Sequence, residues 1–371
     1  MKARKATWVV LLLMLMTSCT STDKAEPTPT PPPSPTMTMT PTLVPTPTPL
    51  PYETIPGVYL GTFHGTKVSS LELFEELGKG IAISALYMNW GTGFFPGMYS
   101  TNARLGRIML VTWEYKPRMR GAMADYEGRS LQALVDGVHD DYLAKWAGRA
   151  RDFGKPILVR WGHEMNGDWY PWSGFMNGGG ATDGFGDPAV ADGPERFVAA
   201  YRHIHDLFAE AGADNVLWVW CPNAPFDTMT NSLGDWNDAA SYYPGDDYVD
   251  WLCFDGYNWG RSAFGQQFNS VWTSFDDIFA PSYRQLQDIN PGKPIIIGES
   301  ASTEVGGDKA AWITDTFECM QADYAQIKAI IWFHISKETD WRINSSPESL
   351  QAYRQAISGD YWLEQWPGMD E

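Results

Sequence analysis

Two carboxylic acids in this chain lie in settings that suit a shared reaction. Glu164 falls in the stretch 155–174, KPILVRWGHEMNGDWYPWSG, and is the acidic group most tightly set among rings. Surrounded by apolar surface, a carboxyl group resists ionising and can hold a proton near neutral pH. Glu164 therefore reads as a general acid. Glu299 follows a second apolar run, in PIIIGES. Two carboxyls facing one cleft suit cleavage of a glycosidic bond, one protonating the leaving oxygen and the other attacking the anomeric carbon. Either residue alone would serve as well in a structural ion pair. It is the pair, in aromatic settings, that favours chemistry.

Both acids need strands that end at one place. Short apolar runs alternate with helical stretches from Tyr52 onward. Strands are expected at 57–63, 81–88, 107–112, 157–159, 216–220, 249–254, 294–298 and 327–333. Helices are expected at 71–77, 131–153, 197–211, 275–286, 312–324 and 350–357. Eight such strands fit one closed (β/α)8 TIM barrel, whose strand ends converge on a single mouth. An open doubly wound sheet is the alternative, but the first strand lacks a Gly-rich phosphate turn. Two-residue alternation puts Ile295, Ile297 and Glu299 on one face, and Arg160, Gly162 and Glu164 on another.

The motifs VRWGHEMNGDWYPW on strand four and IIIGES on strand seven resemble those of glycoside hydrolase family 26, and the likeness runs from Gly57 to the last strand. The resemblance implies a (β/α)8 retaining glycosidase that needs no cofactor, with Glu164 as acid/base and Glu299 as nucleophile. By resemblance and chemistry together, His163 would hydrogen-bond in the innermost sugar subsite and Tyr257 would donate to Glu299. Trp169 and Trp172 would stack on sugars, and Trp332 would form the platform under the reacting sugar. Asn166, Trp90, Trp113 and Arg160 are further candidates for hydrogen bonding or stacking. Mannanases of the family tend to carry a histidine after the tryptophan that ends strand three, whereas here Glu114 stands there. The family favours β-1,4-mannan, so an endo-acting β-1,4-mannanase is the first expectation; Glu114 pulls toward β-glucan, and a mixed-linkage β-glucanase or β-1,3-xylanase is the alternative. A carbohydrate-binding protein without catalysis is the reading of another class.

Composition agrees with a neutral, flat substrate. The chain has 371 residues, 18 Trp, 17 Tyr and 17 Phe, and a net charge of -18. That charge argues against nucleic acid and anionic membrane surfaces as partners. Residues 1–18 read as a lipoprotein signal peptide, with Cys19 the lipidated residue of a Met16-Thr17-Ser18-Cys19 box. An exported protein held to the membrane through that lipid is expected, and a monomer. Residues 19–52 form a Pro/Thr-rich linker, and 53–371 the catalytic domain. His163-Glu164 does not open a zinc motif, because the second histidine would fall at Gly167. The Gly- and Asp-rich stretch 178–193 lacks the order of an EF-hand and reads as a substrate-side loop. Cys221 and Cys253 could pair or remain buried thiols.

Overall fold

A computed structural model describes residues 51–65, 70–115, 130–224 and 233–369. The expected signal peptide, the lipidated Cys19 and the linker up to residue 50 lie outside the described residues. The described chain forms strands β1 (Val58–Phe63), β2 (Ile83–Asn89), β3 (Ile108–Glu114), β4 (Ile157–Trp161), β5 (Val216–Trp220), β6 (Trp251–Asn258), β7 (Ile295–Ser302), β8 (Ile327–Phe333) and β9 (Trp362–Leu363). Strands β1 to β8 pair in order, all parallel. The barrel closes where Gly61 and Thr62 of β1 meet Ile83 and Ser84 of β2. The short β9 pairs with the start of β1.

The helices are α1 (Ser70–Leu77), α2 (Pro96–Ala103), α3 (Leu131–Val135), α4 (Asp140–Phe153), α5 (Asp192–Glu210), α6 (Phe275–Ile289), α7 (Lys309–Asp323) and α8 (Pro347–Ala356). Local chemistry sets their starts. Ser130, Ser274, Asp308 and Ser346 each accept a backbone N–H of the first turn of α3, α6, α7 and α8. The single helix expected over 131–153 is two, broken at Gly137, whose φ of 76° a helix cannot hold. Between β5 and β6 the described residues hold three short 3-10 turns, Asp235–Asn237, Ala239–Tyr242 and Asp246–Tyr248, in place of a helix.

Two cores result from strand alternation. One joins helices to the outward side chains of the strands, including Val111, Trp113, Trp161, Trp220, Ile297 and Trp332. The other fills the barrel with the inward ones, among them Ile83, Leu110, Leu158, Val219, Ile296 and Ile331. Among the described residues many indole side chains are almost wholly buried, including Trp113, Trp172, Trp332 and Trp341. At the assumed scale of roughly 25 cal/mol per Å² of apolar surface, such rings dominate the burial term.

Candidate active site

The inward faces of the strands continue upward from the inner core into polar and aromatic groups. Phe63 follows on β1, Tyr87 on β2, Glu114 on β3, Tyr257 on β6 and Phe333 on β8, and all of them line one cavity of about 730 Å³. That volume suits a ligand site. Glu164, Glu299, Trp169 and Tyr170 line it too. A smaller cavity of about 360 Å³, beside Trp272 and Trp312, contains none of these groups.

Glu299 reaches the cavity through an irregularity in β7. Ile295 and Ile297 face the helices while Ile296 faces the barrel interior. Plain alternation would send Glu299 outward with the first two. Phe254 pairs with Ile297, however, and the very next residue, Asp255, pairs with Glu299. Gly298 is therefore an extra residue, a bulge that turns Glu299 inward. The expectation that Ile295, Ile297 and Glu299 share a face is corrected by this bulge. A Cβ at Gly298 would stand 2.6 Å from both Asp255 Oδ1 and Cys253 Sγ, and 2.7 Å from Arg160 Nη1. Only glycine fits there.

Glu164 is also delivered by irregular backbone, not by a continuing strand face. β4 ends at Trp161, and Gly162 and Glu164 take φ of 64° and 53°. The Glu164 N–H donates to the Cys221 carbonyl at 2.7 Å, and the Glu164 carbonyl accepts the Gly167 N–H at 3.0 Å. The left-handed region costs a side-chain-bearing residue about 1 kcal/mol or more. Among the described residues other than glycine, only Asn269 shares it. The turn aims the Glu164 carboxyl into the cavity, where Trp169 Nε1 donates to its Oε2 at 2.9 Å.

A buried cation ties the site together. Arg160 donates through Nη2 to Glu299 Oε1 at 2.6 Å, and through Nη1 to both Asp255 oxygens at 2.7 and 2.8 Å. Its Nε and Nη2 also donate to Thr112 Oγ1. Tyr257 donates its hydroxyl to Glu299 Oε2 at 2.5 Å. Arg160 thus holds one Glu299 oxygen and Tyr257 the other, and the Tyr87 side chain hydrogen-bonds the same carboxyl group. Burial alone would lower the Arg160 guanidinium, but Asp255 and Glu299 outweigh it and raise its pKa well above the ordinary value. Burial first, then the Glu299 charge, pushes the Tyr257 phenol well above 10. Burial, then Glu164, Glu299 and Glu114, does the same to Tyr170. Both phenols stay protonated donors through the neutral range.

The other expected residues divide by which way they face. Glu114, the last residue of β3, is 7% exposed and faces the cavity. Trp332 does not form a platform. It points outward from β8 against Trp312 and Tyr353, and its Nε1 donates to the Trp341 carbonyl at 2.8 Å. On that side the cavity is lined instead by the indole of Trp341, on the loop after β8. Trp113 also points outward, into a cluster with Trp90, Trp146 and Phe208. Trp90 packs there and lies away from the cavity lining.

Trp172 is buried behind the site. It stacks on Tyr170 at 4.4 Å and donates to the His163 carbonyl at 2.7 Å. His163 is buried beside them, with Nε2 3.1 Å from the Tyr170 hydroxyl. Asn166 binds the backbone of Asn223, donating to its carbonyl and accepting its N–H. Arg160 proves to be an ion-pair partner of Asp255 and Glu299 and not a cavity-lining group. Asp255, Tyr170, Asn223, Trp259 and Trp341 went unassigned in the sequence. Alternation back from Tyr257 would have found Asp255, and outward from Glu114 would have excluded Trp113.

Cys221 and Cys253 form a disulfide directly beneath the acids, with Cα atoms 4.3 Å apart, and Cys319 is a free thiol. Among the stretch 178–193, Asp192 is buried and accepts the Gly184 N–H at 2.9 Å.

Comparison with known proteins places these residues in context. A family model described as glycosyl hydrolase family 26 matches residues 112–336. Endoglucanase H of Acetivibrio thermocellus is 38% identical over 310 residues, which are 81% of this chain and 30% of that protein. A mannan endo-1,4-beta-mannosidase of Thermothelomyces thermophilus is 26% identical, over 81% of this chain and 49% of that protein. The chain therefore spans less than half the length of either relative. The mannanase man26 structure from Bacillus subtilis superposes with a TM-score of 0.55 at 16% identity, covering 85% of this chain and 90% of that one. That likeness shows the barrel fold.

Proposed function

The chain belongs to glycosyl hydrolase family 26, and from that premise we propose that it is a retaining endo-β-glycanase. One observation carries the reading. Glu164 and Glu299 face the same cavity, each held by its own donors, an indole on one and a guanidinium with a phenol on the other. Glu299 attacks the anomeric carbon, while Glu164 passes its proton to the glycosidic oxygen and the C–O bond to the leaving sugar breaks. Water then enters, gives its proton to Glu164, and displaces Glu299 from the glycosyl ester. Two displacements restore the starting anomeric configuration. Arg160 and Tyr257 fix both Glu299 oxygens, so attack needs little reorganisation.

Glu299→Ala should reduce turnover at least about 10³-fold, and azide should restore it by forming a glycosyl azide of the opposite anomeric configuration. Glu164→Ala should spare aryl glycosides with good leaving groups, which need no proton, and lose about 10²- to 10⁴-fold on polysaccharide. NMR of the first-formed product that shows inversion would remove the double-displacement reading. Binding of glycan without any release of reducing ends would favour a binding protein instead.

Within the β-glycans, we favour β-glucan over mannan. Two observations support this: the 38% identity to a protein named Endoglucanase H against 26% to a named mannosidase, and the cavity-facing carboxylate of Glu114. A panel of lichenan, β-1,4-glucan, mannan and β-1,3-xylan tests it. Mannan as the best substrate by kcat/KM would overturn the preference.

A further inference from the structure

Beyond the two acids, the cavity wall on the β6 side is built by one excursion of the chain, residues 259–273, between β6 and α6. Its base is closed by a single side chain. Asn258 Oδ1 accepts the N–H of Gly260 at 3.2 Å and that of Thr273 at 3.1 Å, so both ends return to one amide. The same Asn258 donates through Nδ2 to Ser302 Oγ. The Arg261 N–H donates to the Val305 carbonyl at 2.8 Å, and Trp312 Nε1 donates to the Thr273 carbonyl at 3.0 Å. At the tip, Ser262 Oγ accepts the Gly265 N–H, and the Ser270 N–H closes on the Gly265 carbonyl. A loop pinned at base and tip presents its side chains in fixed places.

Those side chains form a row of rings. From Tyr257, which touches Glu299, the next indole is Trp259 at 5.7 Å. Phe264 follows at 5.1 Å from Trp259, and Phe268 at 5.3 Å from Phe264. All line the cavity, and so do Asn269 and Ser270, which follow Phe268 in the chain. Phe264 and Phe268 are half-buried yet pack into neither of the two cores. Partly exposed rings that the fold does not use, with an amide and a hydroxyl in the same lining, match the apolar face and equatorial hydroxyls of a pyranose.

We propose that residues 259–273 form a chain-binding ledge, on which Phe264 and Phe268 stack sugar rings of a β-glycan that continues past the bond being cut. Asn269 and Ser270 meet the hydroxyls of those outer sugars. The inference rests on the glycanase reading and deepens it, because the ledge makes chain length a determinant of affinity and supports cleavage within a chain.

The test uses the full protein and a ladder of β-gluco-oligosaccharides. Glu299→Ala, which holds substrate without turning it over, gives the affinity for each length by calorimetry. Affinity should rise with length, and adding Phe268→Ala should remove about three- to tenfold on the longest members and less on the shortest. Phe264→Ala should act at a shorter length than Phe268→Ala. Phe268→Tyr, which keeps a flat ring, should recover most of the loss and so separate a lost face from a misfolded loop. Length profiles that superimpose with and without the phenyl rings overturn the ledge. If glycan binds with this dependence but the native enzyme releases no reducing ends, the hydrolytic reading falls and the ledge stands.

Discussion

Arg160 lies between two buried acids, and the arrangement is stable only as a set: burial pushes the Asp255 carboxyl well above its ordinary range, and the Arg160 charge opposes that rise. The side chain is 1% exposed, and its partners Asp255 and Glu299 are 0% and 8% exposed. Removing the cation would leave two buried acids facing each other with their shared donor gone. Arg160→Met should therefore destabilise the protein by about 3–5 kcal/mol, read by urea unfolding, and not merely slow it. Tyr257 acts differently. It contributes a single donor to the attacking carboxylate, and Tyr257→Phe leaves no charge stranded. That variant should fold normally and lose about ten- to a hundredfold in kcat, the scale of a hydrogen bond to a charged group. An unchanged kcat would show that the Tyr257 hydroxyl does not act on Glu299. Glu164 adds a third case. Because it sits at a φ of 53°, Glu164→Gly should be more stable than Glu164→Ala by about 1 kcal/mol, both being catalytically impaired. Equal unfolding midpoints would mean that the turn relaxes without its side chain.

At the scale of elements, the barrel has two thin seams, β1 with β2 and β5 with β6, each paired at two positions. β5 and β6 pair at only Val219 with Trp251 and Trp220 with Leu252, whereas β2 and β3 pair over seven residues. The Cys221–Cys253 disulfide spans that seam just beneath the acids. With a sequence separation of 32, chain entropy alone gives it roughly 3–4 kcal/mol. Replacing both cysteines by serine should cost up to that amount in denaturant unfolding, and no change would mean that the strands hold without it. A second device sits after β8. The Lys309 ammonium is wholly buried and donates to the carbonyls of Asp340 and Arg342 and to Ser345 Oγ. It thereby braces the loop that carries Trp341 into the cavity. Burial lowers the Lys309 amine from 10.5 to about 8, against the opposing pull of Glu304 and Asp340. The unfolded chain therefore binds more protons than the folded one between about pH 8 and 10.5. The contribution of this group to stability rises with pH across that window, by ~3 kcal/mol at most. Unfolding free energies of the native protein and Lys309→Met should diverge in that direction, and parallel curves would place the amine in water.

For the whole molecule, the sequence made the barrel legible because its eight apolar runs are separated mostly by helical stretches. Chemistry at the run ends then identified both acids. What it hid were departures from regular backbone. Alternation predicts an outward Glu299 unless Gly298 is recognised as an extra residue, and nothing in PIIIGES marks the bulge. Glu164 lies on a left-handed turn that a strand pattern does not contain. Trp332 and Trp113 were misassigned by their position at strand ends, although the parity of their neighbours Phe333 and Glu114 decides which way each indole faces. Rings were common enough at the mouth that type alone could not sort platform from core. The closure of residues 259–273 onto Asn258 has a consequence at this scale. An excursion whose two ends meet at one amide behaves as an interchangeable cassette. Its ends are held whatever the tip carries, so exchanging the rings at its tip would alter which polymer is gripped while the bond-breaking pair stays where it is.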